Sequence, residues 1–157
     1  MGSNKWTIAF GGKTKEQLLL ELSTARTNLN AYATLLFMSD RFHVSPSQQR
    51  TEVVEISVQT LGFEEGAVFA DIVRSAASQG LSLCSLELAV YLRLHYQNQP
   101  EGNQVTIASK RAFLDENYPN GFYLRAQGDA LGLRGYRATS DWVWPADSLF
   151  IFEEQCV

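Results

Sequence analysis

The sequence predicts an α+β fold with a long N-terminal helix, a two-helix hairpin and a mainly antiparallel C-terminal sheet. Two observations carry that expectation. Ahead of Pro100 the apolar periodicity is mainly helical; beyond it the apolar segments are short, alternating and punctuated by glycine. Hydrophobic residues make up 45% of the 157 and charged residues 19%, a composition that suits one globular domain with its own core. Residues 1–157 therefore read as a single α+β domain, helix-rich over 1–98 and strand-rich over 104–152, with no internal repeat or low-complexity tract.

Residues 6–10 read as a short edge strand closed by Gly11-Gly12. Thr14 and Gln17 then fit a capping box, in which a hydroxyl and an amide side chain satisfy orphan helix amides reciprocally. Leu18, Leu22, Ala25, Leu29, Tyr32 and Leu36 recur at spacings of four and three, predicting a helix to about Met38 with a weak point near Asn28. Part of that seam is a candidate contact for a second subunit. Residues 45–49 form a polar loop, and the β-branched run 51–61 predicts a strand with Val54, Ile56 and Val58 on one face. Residues 66–78 read as a helix stopped by Gly80. The next helix, capped by Ser82 or Ser85 and running to about Gln97, is apolar around nearly its whole circumference and so is expected at the centre of the core.

The C-terminal third predicts a strand over 104–109, a loop over 115–121, and a hairpin of 122–127 with 130–138 around Gly128-Asp129. Pairing Gln127 with Ala130 sets Tyr123 opposite Arg134 and Leu124 opposite Leu133. Phe122, Leu124, Ala126, Leu131 and Leu133 then share one face, and Tyr123, Arg125, Arg134 and Tyr136 the other; a slip of one residue would mix the two sets. Residues 148–152 are apolar on both faces and are expected as an interior strand.

The net charge of −4 makes a nucleic-acid grip dependent on overall positive charge an unfavourable reading. Cys84 and Cys156 are too few for a disulfide scaffold, although a bridge between them stays open. Residues 6–10 form only a short apolar run without a signal-peptide core, and the run 32–38 is far below the roughly 20 residues needed to cross a bilayer. A cytoplasmic protein with no membrane contact is expected.

Catalytic patterns are sparse. Gly11-Gly12-Lys13-Thr14 resembles the end of a phosphate loop, but Thr7 stands where that loop needs its first glycine. There is no Gly-x-Ser-x-Gly elbow, and Cys84 and His95 are eleven residues apart on one predicted helix, too far to act as a dyad. His43 and His95 lack the local partners that a metal site needs, so neither metal nor cofactor is expected. A small enzyme assembled from separated groups such as Cys84, His43 and the Asp115–Glu116 loop is one alternative. A helix-turn-helix-like DNA-binding regulator over residues 66–97 is another, suggested by the four-residue spacing of Ala76 and Gly80 followed by Leu81 and Leu86. Against the latter, Arg93 is the only basic side chain on the would-be recognition helix.

The leading expectation is a non-enzymatic protein–protein interaction module, with a protein partner or a second copy as its occupant. Its candidate surface comprises Tyr123, Arg125, Arg134, Tyr136 and Trp142, extended by Arg137 and Trp144, because arginine beside tyrosine across a sheet makes a favourable cation–π pairing enriched at binding hot spots.

Residues 53–66 (VVEISVQTLGFEEG), 80–87 (GLSLCSLE) and 92–100 (LRLHYQNQP), followed by Val105-Thr106-Ile107-Ala108 and the late Trp144 and Phe150-Ile151-Phe152, resemble a pattern seen in small uncharacterised bacterial proteins with no assigned function. The likeness spans residues 51–152. It implies a bacterial cytoplasmic protein in one continuous domain and transfers no functional residue.

Overall fold

The computed structural model describes residues 4–154. Strand β1 (Lys5–Phe10) is followed by helix α1 (Lys15–Thr24), whose start has the expected reciprocal cap: Thr14 Oγ1 accepts from the Gln17 amide at 3.1 Å, and Gln17 Oε1 accepts from the Thr14 amide at 2.8 Å. The long N-terminal helix does not form. At Arg26 the backbone turns left-handed, with φ of 58°. The amides of Arg26 and Thr27 fold back onto the carbonyls of Ser23 and Leu22 at 3.0 and 2.9 Å, a Schellman ending that satisfies the last turn of α1. A two-residue strand β2 (Asn28–Leu29) and a separate helix α2 (Ala31–Met38) follow. Leu18, Leu22 and Leu36 are buried as their spacing suggests, but from two helices.

The two-helix hairpin is also corrected. Strand β3 (Gln49–Ser57) ends before a tight turn that buries Val58 and Leu61. After β4 (Ala67–Val68) come helix α3 (Phe69–Ser78), strand β5 (Leu81–Ser82) and helix α4 (Leu86–His95), with Ser85 Oγ capping the Leu88 amide at 3.2 Å. Ile72 and Ala76 of α3 pack in one core cluster, whereas Leu88 to Leu92 of α4 pack in another. Strand β5 lies in the sheet itself, and the chain passes from one face to the other beside Cys84, whose amide donates to the Ala108 carbonyl at 2.7 Å. The helices thus lie on opposite faces of the sheet. A helix-turn-helix unit needs them packed on each other, so the DNA-binding reading loses its scaffold.

Strands β6 (Gln104–Ile107), β7 (Gly121–Gln127), β8 (Ala130–Tyr136), β9 (Val143–Trp144) and β10 (Leu149–Glu154) complete the described chain. The sheet is not confined to the C-terminal third. One curled eight-stranded sheet runs β1-β3-β10-β6-β7-β8-β2, with β5 joined to β10, and it draws strands from the whole sequence. Most of its pairs are antiparallel; β10 with β6 and β2 with β8 are parallel. The β7–β8 register pairs Tyr123 with Arg134, Leu124 with Leu133 and Gln127 with Ala130, as the alternation predicts. Strand β10 is interior and double-faced: Ile151 joins the larger cluster with α1, α2 and α4, while Phe150 and Phe152 join the smaller one with α3. Among the described residues no helix is long and apolar enough to cross a membrane. Cys156, the second half of the bridge left open by the sequence, lies outside the described residues.

Near the β1 edge, buried Glu55 accepts one hydrogen bond from Asn4 Nδ2 at 2.8 Å, and its Oε2 has no partner. Burial pushes its carboxyl above the usual value, and the Asn4 bond only partly opposes this. A raised acid holds its proton in the folded state over a pH range where the unfolded chain has released it, so folding loses stability as pH rises through that range. Glu55→Gln is therefore expected to be more stable than the native chain at pH 7, by about 1 kcal/mol or less because the Asn4 hydrogen bond offsets part of the burial cost. The gap should close as pH falls below the unfolded carboxylate value. Urea melts at pH 7 and pH 4 check the sign; an equal gap at both would contradict it.

Candidate functional site

On the β6–β7–β8 half of the sheet, the face shared with α3 continues beyond that helix. The smaller core cluster under α3 draws on β3, β10 and β5 but on no residue of β7 or β8. That half carries Thr106, Tyr123, Arg125, Arg134 and Tyr136, aligned by Thr106 opposite Tyr123 and Tyr123 opposite Arg134. Tyr123, Arg125 and Arg134 are half-buried, and Arg134 Nε donates to the Tyr123 hydroxyl at 3.0 Å, which fixes the guanidinium plane against the sheet. Among the described residues, Arg125, Arg134 and Arg137 make no ion pair.

Tyr136 plays a different part from its three neighbours. Its ring meets Trp144 edge-on at 5.6 Å, and Trp144 in turn meets Phe150 at 5.0 Å, so it joins the open face to the core. Burial pushes the Tyr136 phenol far above its ordinary value against the opposing Arg111 charge, so the hydroxyl stays protonated. Trp142, 51% exposed, stands across a hollow of about 510 Å³ that it lines with Tyr136, Arg137, Trp144 and Glu116. The predicted residues thus fall into two groups sharing one region: Tyr123, Arg125 and Arg134 on the open sheet, and Tyr136 with Trp142 around the hollow.

Sequence reasoning missed a smaller cavity of about 180 Å³ beside that hollow, bounded by Phe69, Ser109, Arg111, Asn120, Tyr136 and Trp144. Ser109 and Arg111 lie just past the end of β6, where its alternation no longer holds: continued, it would turn both toward the face of Val105 and Ile107, so no local pattern signals the cavity. Asn120 is held in place by Ala138: its Nδ2 donates to the Ala138 carbonyl and its Oδ1 accepts from the Ala138 amide, both at 3.1 Å.

The separated-residue enzyme set is partly assembled. Cys84 and His43 both line a cleft of about 620 Å³ near the start of α4, together with Ser85, Lys110 and Arg111. Yet the Cys84 thiol is buried and donates to the Ile151 carbonyl at 3.5 Å, and burial pushes it well above its ordinary value, with the Glu153 charge adding to the rise. The thiolate that nucleophilic chemistry needs is disfavoured there. Asp115 is occupied locally, its Oδ1 accepting from the Asn117 amide at 2.9 Å, and Glu116 lies on the separate hollow beside Trp142. Comparison with family models, curated proteins and solved structures finds no match in any of the three.

Proposed function

We propose that this chain is a non-enzymatic cytoplasmic interaction module that takes an acidic segment of a protein partner on the open half of its sheet. The observation that carries the reading is the set of three arginines, Arg125, Arg134 and Arg137, without carboxylate partners among the described residues of a chain whose net charge is −4. Unpaired guanidinium groups are ready to make bidentate contacts with carboxylates, and a rigid Arg134–Tyr123 pair loses little side-chain freedom on binding. The exposed Trp142 ring extends the surface with apolar area of the kind that anchors interfaces. Kinship with small bacterial proteins belongs to the same proposal and adds no residue to it.

A random peptide library panned on the protein tests the chemistry of the partner. Selected peptides are expected to be enriched in Asp and Glu. Their binding should weaken about tenfold or more in the Arg125→Ala/Arg134→Ala variant, and should weaken in about 0.5 M salt as charge pairs are screened. Selected peptides without an acidic excess, or with affinity unchanged by the double substitution, would overturn the reading. Self-association of the purified chain that the same substitution abolishes would make the partner a second copy.

A further inference from the structure

We infer that the 180 Å³ cavity between Phe69, Tyr136 and Trp144 is a binding site for a small carboxylate carrying a single-ring apolar body. Three independent features of the cavity lead there. Ser109, 3% exposed, and Arg111 both line it, and Ser109 Oγ and Arg111 Nη2 are buried without a hydrogen-bond partner. Buried donors left in that state are rare in native chains and call for an acceptor. Both residues also line the cleft of about 620 Å³, but a Cβ built on Gly121 would meet the Ser109 hydroxyl at 2.7 Å and the Tyr136 ring at 3.7 Å, which sets that hydroxyl beside the aromatic cavity. A carboxylate supplies it, because one oxygen can accept from a guanidinium and the other from a hydroxyl.

The guanidinium is also held in place. Arg111 Nε donates to the Phe113 carbonyl at 2.9 Å and Nη1 to the Ala138 carbonyl at 3.0 Å, so two of its three nitrogens are anchored by backbone and only Nη2 is left over. No Asp or Glu lines the cavity, so no internal carboxylate competes for that nitrogen. Phe69, Tyr136 and Trp144 supply an aromatic side to the wall, next to the small and polar side chains of residues 138–140, and Trp144 is wedged between Tyr136 and Phe150. The polar end selects the anion, the aromatic wall selects an apolar ring, and the volume admits one ring, since a cavity of roughly 150 Å³ accepts benzene. This site is distinct from the arginines proposed for the partner.

Benzoate is the probe, titrated into the purified chain and followed by ligand-observed NMR and tryptophan fluorescence. Benzamide serves as the neutral isostere and inorganic phosphate as an anion without a ring. Saturable benzoate binding with a Kd on the order of 0.1–1 mM is expected, in keeping with a ligand of so few atoms, and binding of benzamide and phosphate should be at least about tenfold weaker. Arg111→Gln should abolish binding but also cuts two backbone anchors, so two further variants accompany it. Ser109→Ala should weaken benzoate several-fold, and Ala70→Leu, at an exposed position of α3 beside the cavity, should obstruct it at least about tenfold with an unchanged melting temperature. Arg125→Ala/Arg134→Ala should leave the benzoate titration unchanged. The inference is overturned by no saturation at about 10 mM benzoate, by benzamide or phosphate binding as tightly as benzoate, or by Ser109→Ala and Ala70→Leu variants that fold and bind normally.

Discussion

Replacing Arg93 with alanine is expected to remove about 3–5 kcal/mol of stability and about 10 °C of melting temperature. Arg93 is fully buried on α4 and has no carboxylate partner among the described residues. Its Nη1 donates to Gln99 Oε1 at 2.7 Å and to the Gly132 carbonyl at 3.1 Å, and its Nη2 donates to the Tyr96 carbonyl at 2.5 Å. One guanidinium therefore ties the C-terminal end of α4 to the loop carrying Gln99 and to strand β8. Burial lowers its pKa to about 10, the mark of a charge removed from water, yet at pH 7 it stays protonated and donates. Alanine would leave these three acceptors, and the more distant Arg125 carbonyl at 3.5 Å, without their donor and open a cavity at the same point, and the two penalties add. Arg93→Met separates them: it fills most of the volume, removes the buried charge and still lacks the donors. It is expected to recover about 1–2 kcal/mol of the alanine loss. Urea denaturation followed by far-UV circular dichroism measures both. A loss under about 1 kcal/mol in the alanine variant would mean that water takes over the guanidinium's bonds.

Arg93 also shows where the sequence stops being legible. On a helix wheel it is the one basic residue of an apolar helix, and charge alone suggests an exposed position. Only the ring of acceptors around it, the Gln99 side-chain oxygen and the Tyr96 and Gly132 carbonyls, makes a buried position tenable, and two of the three, Gln99 and Gly132, come from beyond the helix and its cap. The opposite holds for the β7–β8 hairpin, where strict alternation and a Gly-Asp turn leave one register that keeps Phe122, Leu124 and Leu133 together. The Thr14–Gln17 cap was legible for the same reason, since its partners are three residues apart.

The long N-terminal helix misled because its leucine spacing runs on through a break marked by neither glycine nor proline. Arg26 takes the left-handed position that glycine or asparagine usually fills. The two-helix unit misled because β5 is only two residues long, too short to show a period, yet it moves α4 to the far side of the sheet. At the candidate site, the Tyr123, Arg125 and Arg134 face follows from local alternation. The cavity beside it does not, because Phe69, Ser109 and Trp144 meet from three distant segments.

Gly135→Ala is expected to lose about 2–4 kcal/mol, at or above the usual range for overpacking, because the added carbon meets backbone and not a flexible side chain. A Cβ at Gly135 would lie 2.7 Å from the Tyr32 carbonyl carbon and 2.8 Å from the Ala33 amide nitrogen, so α2 would have to move off β8. That close approach serves Asn30. Its Oδ1 accepts from the Gly135 amide at 2.8 Å and from the Ala33 amide at 2.8 Å, and its Nδ2 donates to the Gly135 carbonyl at 3.0 Å. One side chain thus caps α2 and pairs with the β8 backbone as a further strand residue would, continuing the short β2 ladder on Gly132 and Leu133. Asn30→Ala should lose about 2–3 kcal/mol, the helix cap plus the two β8 groups left unpaired. Asn30→Ser should recover only the cap, about 1 kcal/mol, since a single hydroxyl cannot also pair both Gly135 groups. If the two positions form one contact, moving α2 already breaks the Asn30 bonds, and the double variant should lose at least about 1 kcal/mol less than the sum of the singles. Strict additivity would show instead that the cap and the close approach act separately.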